Sequence, residues 1–127
     1  MAEIPYSKRT KKAFEKLLDD FQPDIVHCFN IMTHISPSIM VAARERNIPV
    51  VISHNDYKHI CTNYKLYHDG KACDACKNGN YMNCLKNKCA HGSLAFSFAS
   101  TLEAYVHKWM KIYEKNVTLH LVSCNFM

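Results

Sequence analysis

Apolar and polar positions fall into regular periods over residues 7–53 and 92–122, with a long aperiodic stretch between them. Ala13, Phe14, Leu17, Leu18 and Phe21 recur at helical spacing and predict a helix over residues 7–21, with Ser7 as its N-cap and Pro23 as its stop. Lys8, Arg9, Lys11 and Lys12 crowd its first turns, where positive charge opposes the helix dipole. They read either as a contact for an anionic surface or as a solvated face. Ile25 to Phe29 is a short apolar run after Asp24, and Val50 to Ile52 is another; both read as buried strands. Between them, Ser36-Pro37 signals a helix start. The helix runs to about Arg46, with Ile39, Met40 and Ala43 as its inner face, and Asn47 and Pro49 mark its end. Residues 24–53 therefore predict one βαβ unit, with a right-handed crossover.

Residues 54–91 show neither period, and loops of that length are usually functional or held by something. Residues 92–116 predict the clearest helix, opening at Gly92-Ser93. Leu94, Phe98, Leu102, Tyr105, Val106, Trp109, Ile112 and Tyr113 form an apolar stripe, opposite Ser97, Thr101, Lys108, Lys111 and Lys115. The stripe is expected to face a core; the other reading is a helix lying on a membrane surface. Asn116 ends the helix. Val117, Leu119 and Leu121 then alternate with Thr118 and His120 as a third strand, followed by a polar end at Ser123-Cys124-Asn125. The pattern as a whole is that of an α/β domain on a parallel sheet.

Composition narrows this picture. The 127 residues suffice for one domain, and 48% hydrophobic with 21% charged residues describes a folded chain. Three glycines are few for a nucleotide-binding domain, which needs glycine where backbone approaches phosphate. No apolar run reaches the ~18 residues of a bilayer span, and the polar N-terminus has no signal core. Secretion is not expected. The seven cysteines are placed in a reducing compartment, where metal ligation or free thiols are favoured over disulfides. A net charge of +5 suits nucleic acid, anionic lipid or phosphorylated substrates. Aromatic and basic residues are not interleaved as a single-strand platform needs, so no nucleic-acid partner is expected. There is no G-x-S-x-G, Walker loop or G-x-G-x-x-G, no internal repeat and no low-complexity segment.

Candidate chemistry gathers just past the second strand, in Ser53 to Tyr67, SHNDYKHICTNYKLY. Polar and titratable groups beyond the C-terminal end of such a strand are where an α/β sheet places a ligand. His54, Asp56 and His59 are acid–base candidates, since histidine moves protons near neutral pH and a carboxylate can orient it. The same groups could simply pin the loop. Tyr57 and Tyr64 could stack on a sugar ring or cover the core. His27 and Asn30, at the end of the first strand, are candidates for the same crevice, although His27 also reads as a buried, satisfied histidine. The cysteines Cys73-x2-Cys76 and Cys84-x4-Cys89 could close a tetrahedral zinc site that orders the loop, with His68 or His91 as substitute ligands. Free thiols and disulfides are the other readings. Cys28, Cys61 and Cys124 read as packed or free.

The segments FQPDIVHCFN, IPVVISHNDYKHICTNYKLY and SLAFSFASTLEAYVHKWMKIYEKN together resemble the N-terminal domain of family-4 glycosyltransferases. The resemblance spans about Tyr6 to Met127. It implies a Rossmann-like, three-layer domain forming part of a GT-B fold, in one domain over residues 1–127 with a cysteine-rich insertion at 68–91. It further implies transfer of a sugar from a nucleotide-sugar to a glycan or lipid-linked acceptor, with retention, in polysaccharide or surface-glycan assembly. His54 would sit nearest the reacting sugar and Asp56 would orient it; His27, Asn30, Asn55, Tyr57 and Asn63 would line the acceptor crevice. No organic cofactor is implied, and structural zinc is the candidate metal. Many relatives read His-Asp-Tyr where this chain has Asn55-Asp56-Tyr57, so His54 would act from one position earlier. A proline often follows the cysteine, where this chain has Thr62. The donor domain with its E-x7-E pair is absent, and the chain reads as a middle slice. A donor-domain partner chain or a homo-oligomer is therefore expected, at the cytoplasmic face of a membrane with peripheral contact. The alternatives are a non-catalytic binding module and a zinc-stabilised interaction domain.

Overall fold

The computed structural model describes residues 6–31 and 35–123. In chain order the elements are α1 (Lys8–Phe21), β1 (Val26–Phe29), α2 (Ser38–Glu45), β2 (Val50–His54), β3 (Tyr67–His68), β4 (Lys71–Ala72), α3 (Met82–Lys86), α4 (Leu94–Met110), α5 (Ile112–Asn116) and β5 (Leu119–Val122). They divide between two compact units: Glu3–Asn55 with Lys111–Met127, and Asp56–Met110. The stretch 68–91, read from sequence as an insertion in one domain, lies inside the second unit.

The first unit is mixed α/β. Ser7 is extended, and its Oγ accepts the Thr10 N–H at 3.1 Å, satisfying one of the free donors at the start of α1. Gln22, at φ 49, closes the helix onto the Leu18 carbonyl at 2.9 Å. Of the apolar face expected there, Leu18 is buried and Phe14 packs on the core, while Leu17 and Phe21 are exposed. Polar contacts hold α1 to α2: Lys11 pairs with Glu45, and the Arg46 guanidinium grips both Asp19 oxygens at 2.7 and 3.0 Å. Lys11, from the basic run, thus serves the fold.

The sheet has the order β1-β2-β5 and is parallel throughout. Val26 pairs with Val50, Cys28 with Ile52, Ile52 with His120 and His54 with Val122. Because side chains alternate along a strand, these residues share one face. On it Val26, Cys28, Val50 and Ile52 join Leu18, Ile31, Ile39, Met40, Ala42 and Ala43 in the core, with Tyr113 and Val117 packed against it. The other face carries His27, Phe29, Ser53, Leu119 and Leu121, and Phe29 is 62% exposed. Three layers are expected from sequence, yet among the described residues only one face of the sheet carries a packed core. The strand β1 explains this: it alternates buried and exposed positions rather than running continuously apolar, as a strand covered on both sides would.

The helix expected over 92–116 is broken. Lys111 adopts φ 49, a left-handed conformation that no α-helix continues through, and it separates α4 from α5. The chain passes from the second unit back to the first at this residue. The break frees α5 to place Tyr113 on the first unit's core and to bury Ile112.

In the second unit β3 and β4 form a short antiparallel hairpin. Its turn is Asp69-Gly70, both at positive φ, the pairing that two-residue hairpins favour. A 3-10 turn at Lys77–Gly79 and α3 follow, and α3 packs on α4. The helix α4 is inverted relative to its hydrophobic pattern. Ser97, Thr101 and His107 are buried, while Leu94, Phe98, Leu102 and Trp109 are at least half exposed. Hydrogen bonding sets this orientation. Ser97 Oγ accepts the buried Ala90 N–H at 3.0 Å, and Thr101 Oγ1 donates to the Tyr81 carbonyl at 3.3 Å. Lys108 Nζ reaches the Asn78 and Gly79 carbonyls, both at 3.4 Å. Gly79 is at φ 76, and a Cβ there would run into the Lys108 side chain.

Candidate functional site

At the C-terminal end of the sheet in the first unit, His54 closes β2. Its Nε2 lies 2.8 Å from His120 Nδ1 on β5, with the ring centroids 5.1 Å apart and the ring planes within 11° of each other. The register makes this contact inevitable: His54 is opposite Val122, so His120 is the next residue on the same face. The bond requires one nitrogen to donate and the other to accept, so at least one ring is neutral while it stands. His120 is exposed and His54 half-buried, so the pair can pass a proton between solvent and a bound group. The alternation in residues 117–121 reads His120 only as a polar strand position. Its pairing with His54 follows once both strands are laid parallel in register.

His27 sits on the opposite face of the sheet. Its Nε2 is 2.8 Å from Ser53 Oγ, and its ring meets Phe29 edge-on at 6.5 Å. The sheet therefore lies between His27 and the His54–His120 pair, and His27 is exposed rather than a core histidine. Asn30 follows β1 at φ 51, and Asn55 follows β2; both are exposed strand-end residues.

Asp56, Tyr57 and Asn63 belong to the second unit. Asp56 Oδ1 accepts the Lys58 N–H at 2.9 Å and shapes its own turn. The Tyr57 carbonyl takes the Ile60 and Cys61 N–H groups at 3.0 and 2.7 Å, and the Tyr57 N–H donates to Tyr64 at 3.2 Å, closing the loop 57–64 on itself. Lys58 ties this loop to α4 through Glu103 at 3.2 Å. Asn63 lines a recess with Cys61, Thr62, Cys73, Cys76 and Cys89.

All six described cysteines are free thiols; Cys124 and Asn125, part of the polar end read from sequence, lie outside the described residues. Cys84, Cys76 and Cys61 are buried, and Cys73 and Cys89 are half-buried. Burial, then the neighbouring sulfurs of Cys61, Cys84 and Cys73, push the Cys76 thiol up to about 11; a Cys84 backbone N–H donated to its sulfur acts in the opposite sense. Burial and the adjacent Cys84, Cys76 and Cys73 push Cys89 up to about 12, with a sulfur hydrogen bond to Cys84 adding to the rise. Cys61 joins this group although its sequence position, twelve residues ahead of the Cys-x2-Cys pair, does not suggest it. Among the described residues, no three or more His, Cys, Asp or Glu side chains are pre-arranged around a point that would hold a metal ion. No helix among them is long and apolar enough to cross a membrane.

No protein-family model, curated protein or solved structure matches the chain.

Proposed function

We propose that this chain is the acceptor-side half of a family-4-like glycosyltransferase, which carries a sugar from a nucleotide-sugar to a glycan or lipid-linked acceptor. The observation that carries the reading is the His54–His120 pair at the C-terminal end of a parallel sheet, where α/β folds place their ligands. The resemblance of FQPDIVHCFN and IPVVISHNDYKHICTNYKLY to that family supports it. On this reading His54 is the residue nearest the transferred sugar, as base or hydrogen-bonding stabiliser, and His120 is a positioning residue that holds its ring and selects its tautomer. Asn30 and Asn55 supply polar contacts at the strand ends. The nucleotide-sugar site belongs to a second domain, and the enzyme works at the cytoplasmic face of a membrane.

The test is a titration of the histidine ring resonances of the intact chain with oligosaccharides, detergent-solubilised lipid-linked sugars and nucleotide-sugars. Acceptor-class molecules should move the His54 and His120 signals together, and nucleotide-sugars should leave both in place. Failure of every acceptor to move either ring, or saturable binding of a nucleotide-sugar there, would overturn the acceptor assignment. Once a donor domain restores transfer, His54→Ala should abolish it. Transfer at an unchanged rate, with acceptor binding retained, would leave a binding module and remove the catalytic role.

A further inference from the structure

The interior of the second unit differs in kind from that of the first. The first is built on Met40, Val50, Ile52, Ile39 and their neighbours. Within Asp56–Met110, the buried apolar side chains are Cys61, Cys76, Cys84 and Ala90, and the remaining buried residues are Thr62, Ser97, Thr101 and His107. A unit this small with so little aliphatic burial needs a cross-link or a metal to stay folded. Its backbone adds to the need: Tyr64, Leu66, Lys88 and His91 all hold positive φ, which costs each of them steric strain.

We propose that Cys73, Cys76, Cys84 and Cys89 bind one Zn2+ as four thiolates, and that this ion holds the unit Asp56–Met110 together. Three observations point to it. Cys73, Cys76 and Cys89 line one recess, and the Cys89 sulfur is hydrogen-bonded to the buried Cys84. The backbone already clamps the second pair, because the Cys89 N–H donates to the Cys84 carbonyl at 3.1 Å. Third, Thr62 is 4% exposed, and its Oγ1 is the one buried side-chain polar atom among the described residues without a hydrogen-bond partner. It lies in the wall of the recess that Cys61, Cys73, Cys76 and Cys89 line. A buried orphan hydroxyl is unfavourable, and a thiolate sulfur held by a metal is a good acceptor for it.

Without metal, Cys89 hydrogen-bonds to Cys84, and no three sulfurs among the described residues surround a point. Binding exchanges four S–H protons, released to solvent, for four Zn–S bonds. No oxidant is consumed. Four soft ligands in tetrahedral array select zinc over the harder divalent ions. Cys61 lies beside Cys76 as a fifth sulfur and packs without ligating.

The experiment uses the full chain, purified anaerobically without chelators. Elemental analysis should find about one zinc per chain, the stoichiometry of a closed structural site. A mercurial should release the zinc, and Co2+ should replace it with thiolate-to-cobalt absorption. Removing the metal should abolish hydrogen-exchange protection of α3 and α4 while β1 and β2 stay protected. Cys61→Ser should keep the metal, and Cys76→Ser or Cys84→Ser should lose it. Thr62→Val should keep the metal but surrender it to a chelator several-fold faster. Absence of zinc after reconstitution under reducing conditions would overturn the proposal. So would disulfides in the anaerobic protein, an iron–sulfur chromophore, or α3 and α4 protection that survives metal removal.

Discussion

Ser97→Ala should destabilise the second unit more than Phe98→Ala, the reverse of what the hydrophobic pattern of α4 implies. Ser97 is fully buried, and its Oγ accepts the Ala90 N–H at 3.0 Å. Truncation leaves that buried N–H without a partner, at a cost of about 1–3 kcal/mol. Alanine recovers about 0.5 kcal/mol through its better helix propensity. The net loss is about 0.5–2.5 kcal/mol. Phe98 is 57% exposed, so less than half of the ~1.5–3 kcal/mol for full burial of such a side chain is at stake. The same propensity gain leaves a net cost of roughly 0.5 kcal/mol. The two units need not unfold together, so hydrogen exchange of the α4 amides is the appropriate assay, supported by urea unfolding. A loss of about 3 kcal/mol or more for Phe98→Ala, the range of a core aromatic, with no effect of Ser97→Ala, would show that α4 buries its apolar stripe and refute the orientation argued here.

Trp109, 85% exposed and the single tryptophan, should be quenched by iodide in the native chain almost as fully as in urea; shielding would contradict its exposure. Ser7→Ala should destabilise the first unit by about 1 kcal/mol in urea unfolding, since Ser7 Oγ caps α1 through the Thr10 N–H. The hydrogen bond from Arg46, then its charge, holds the Asp19 carboxyl below its ordinary value of 3.8. A group depressed in the folded state contributes stability above its unfolded value and loses it as pH falls through the folded one. Asp19→Asn should therefore flatten the acid limb of the stability curve below about pH 4, where that ordinary value lies, and leave its slope at neutral pH unchanged. Burial pushes the Cys28 thiol up to about 11. Iodoacetamide at pH ~8 should meet a thiolate fraction of order one in a thousand and label Cys28 only after unfolding, as read by peptide mass mapping.

Where burial and period agree, the fold is legible in the chain. Ser7 caps the first helix, Ile39, Met40 and Ala43 face inward, and the strands at 26–29, 50–54 and 119–122 pair in parallel. The second unit is less legible, for a physical reason. Its interior is made of thiols and hydrogen-bonded polar groups, which carry no hydrophobic period, so residues 54–91 read as featureless loop. The Asp69-Gly70 dipeptide was available as a hairpin signal. Nothing in the pattern of α4 reveals that Ser97 and Thr101 are the buried side, because bonds to Ala90 and Tyr81, both outside the helix, decide it. The break at Lys111 is equally silent, since lysine is an ordinary helix former. At the site, His54 was visible as a strand-end histidine. Its partner His120 emerges only from register, and His27 is set apart from it because neighbouring strand positions face opposite ways.

The two units also differ in what can switch them. An aliphatic interior such as that of Val50 and Ile52 responds to temperature and denaturant but scarcely to redox or metal supply. An interior of Cys61, Cys76 and Cys84 responds to both. If thiolate–metal bonds hold the second unit, its folding follows metal availability and oxidation, while the parallel sheet carrying His54 and His120 retains its own core. Oxidising the chain with peroxide should then unfold α3 and α4 with release of zinc, while the hydrogen-exchange protection of β1 and β2 is unchanged. Loss of protection in both units together would mean that the sheet depends on the cysteine unit for its stability, and that the core around Met40 is insufficient alone.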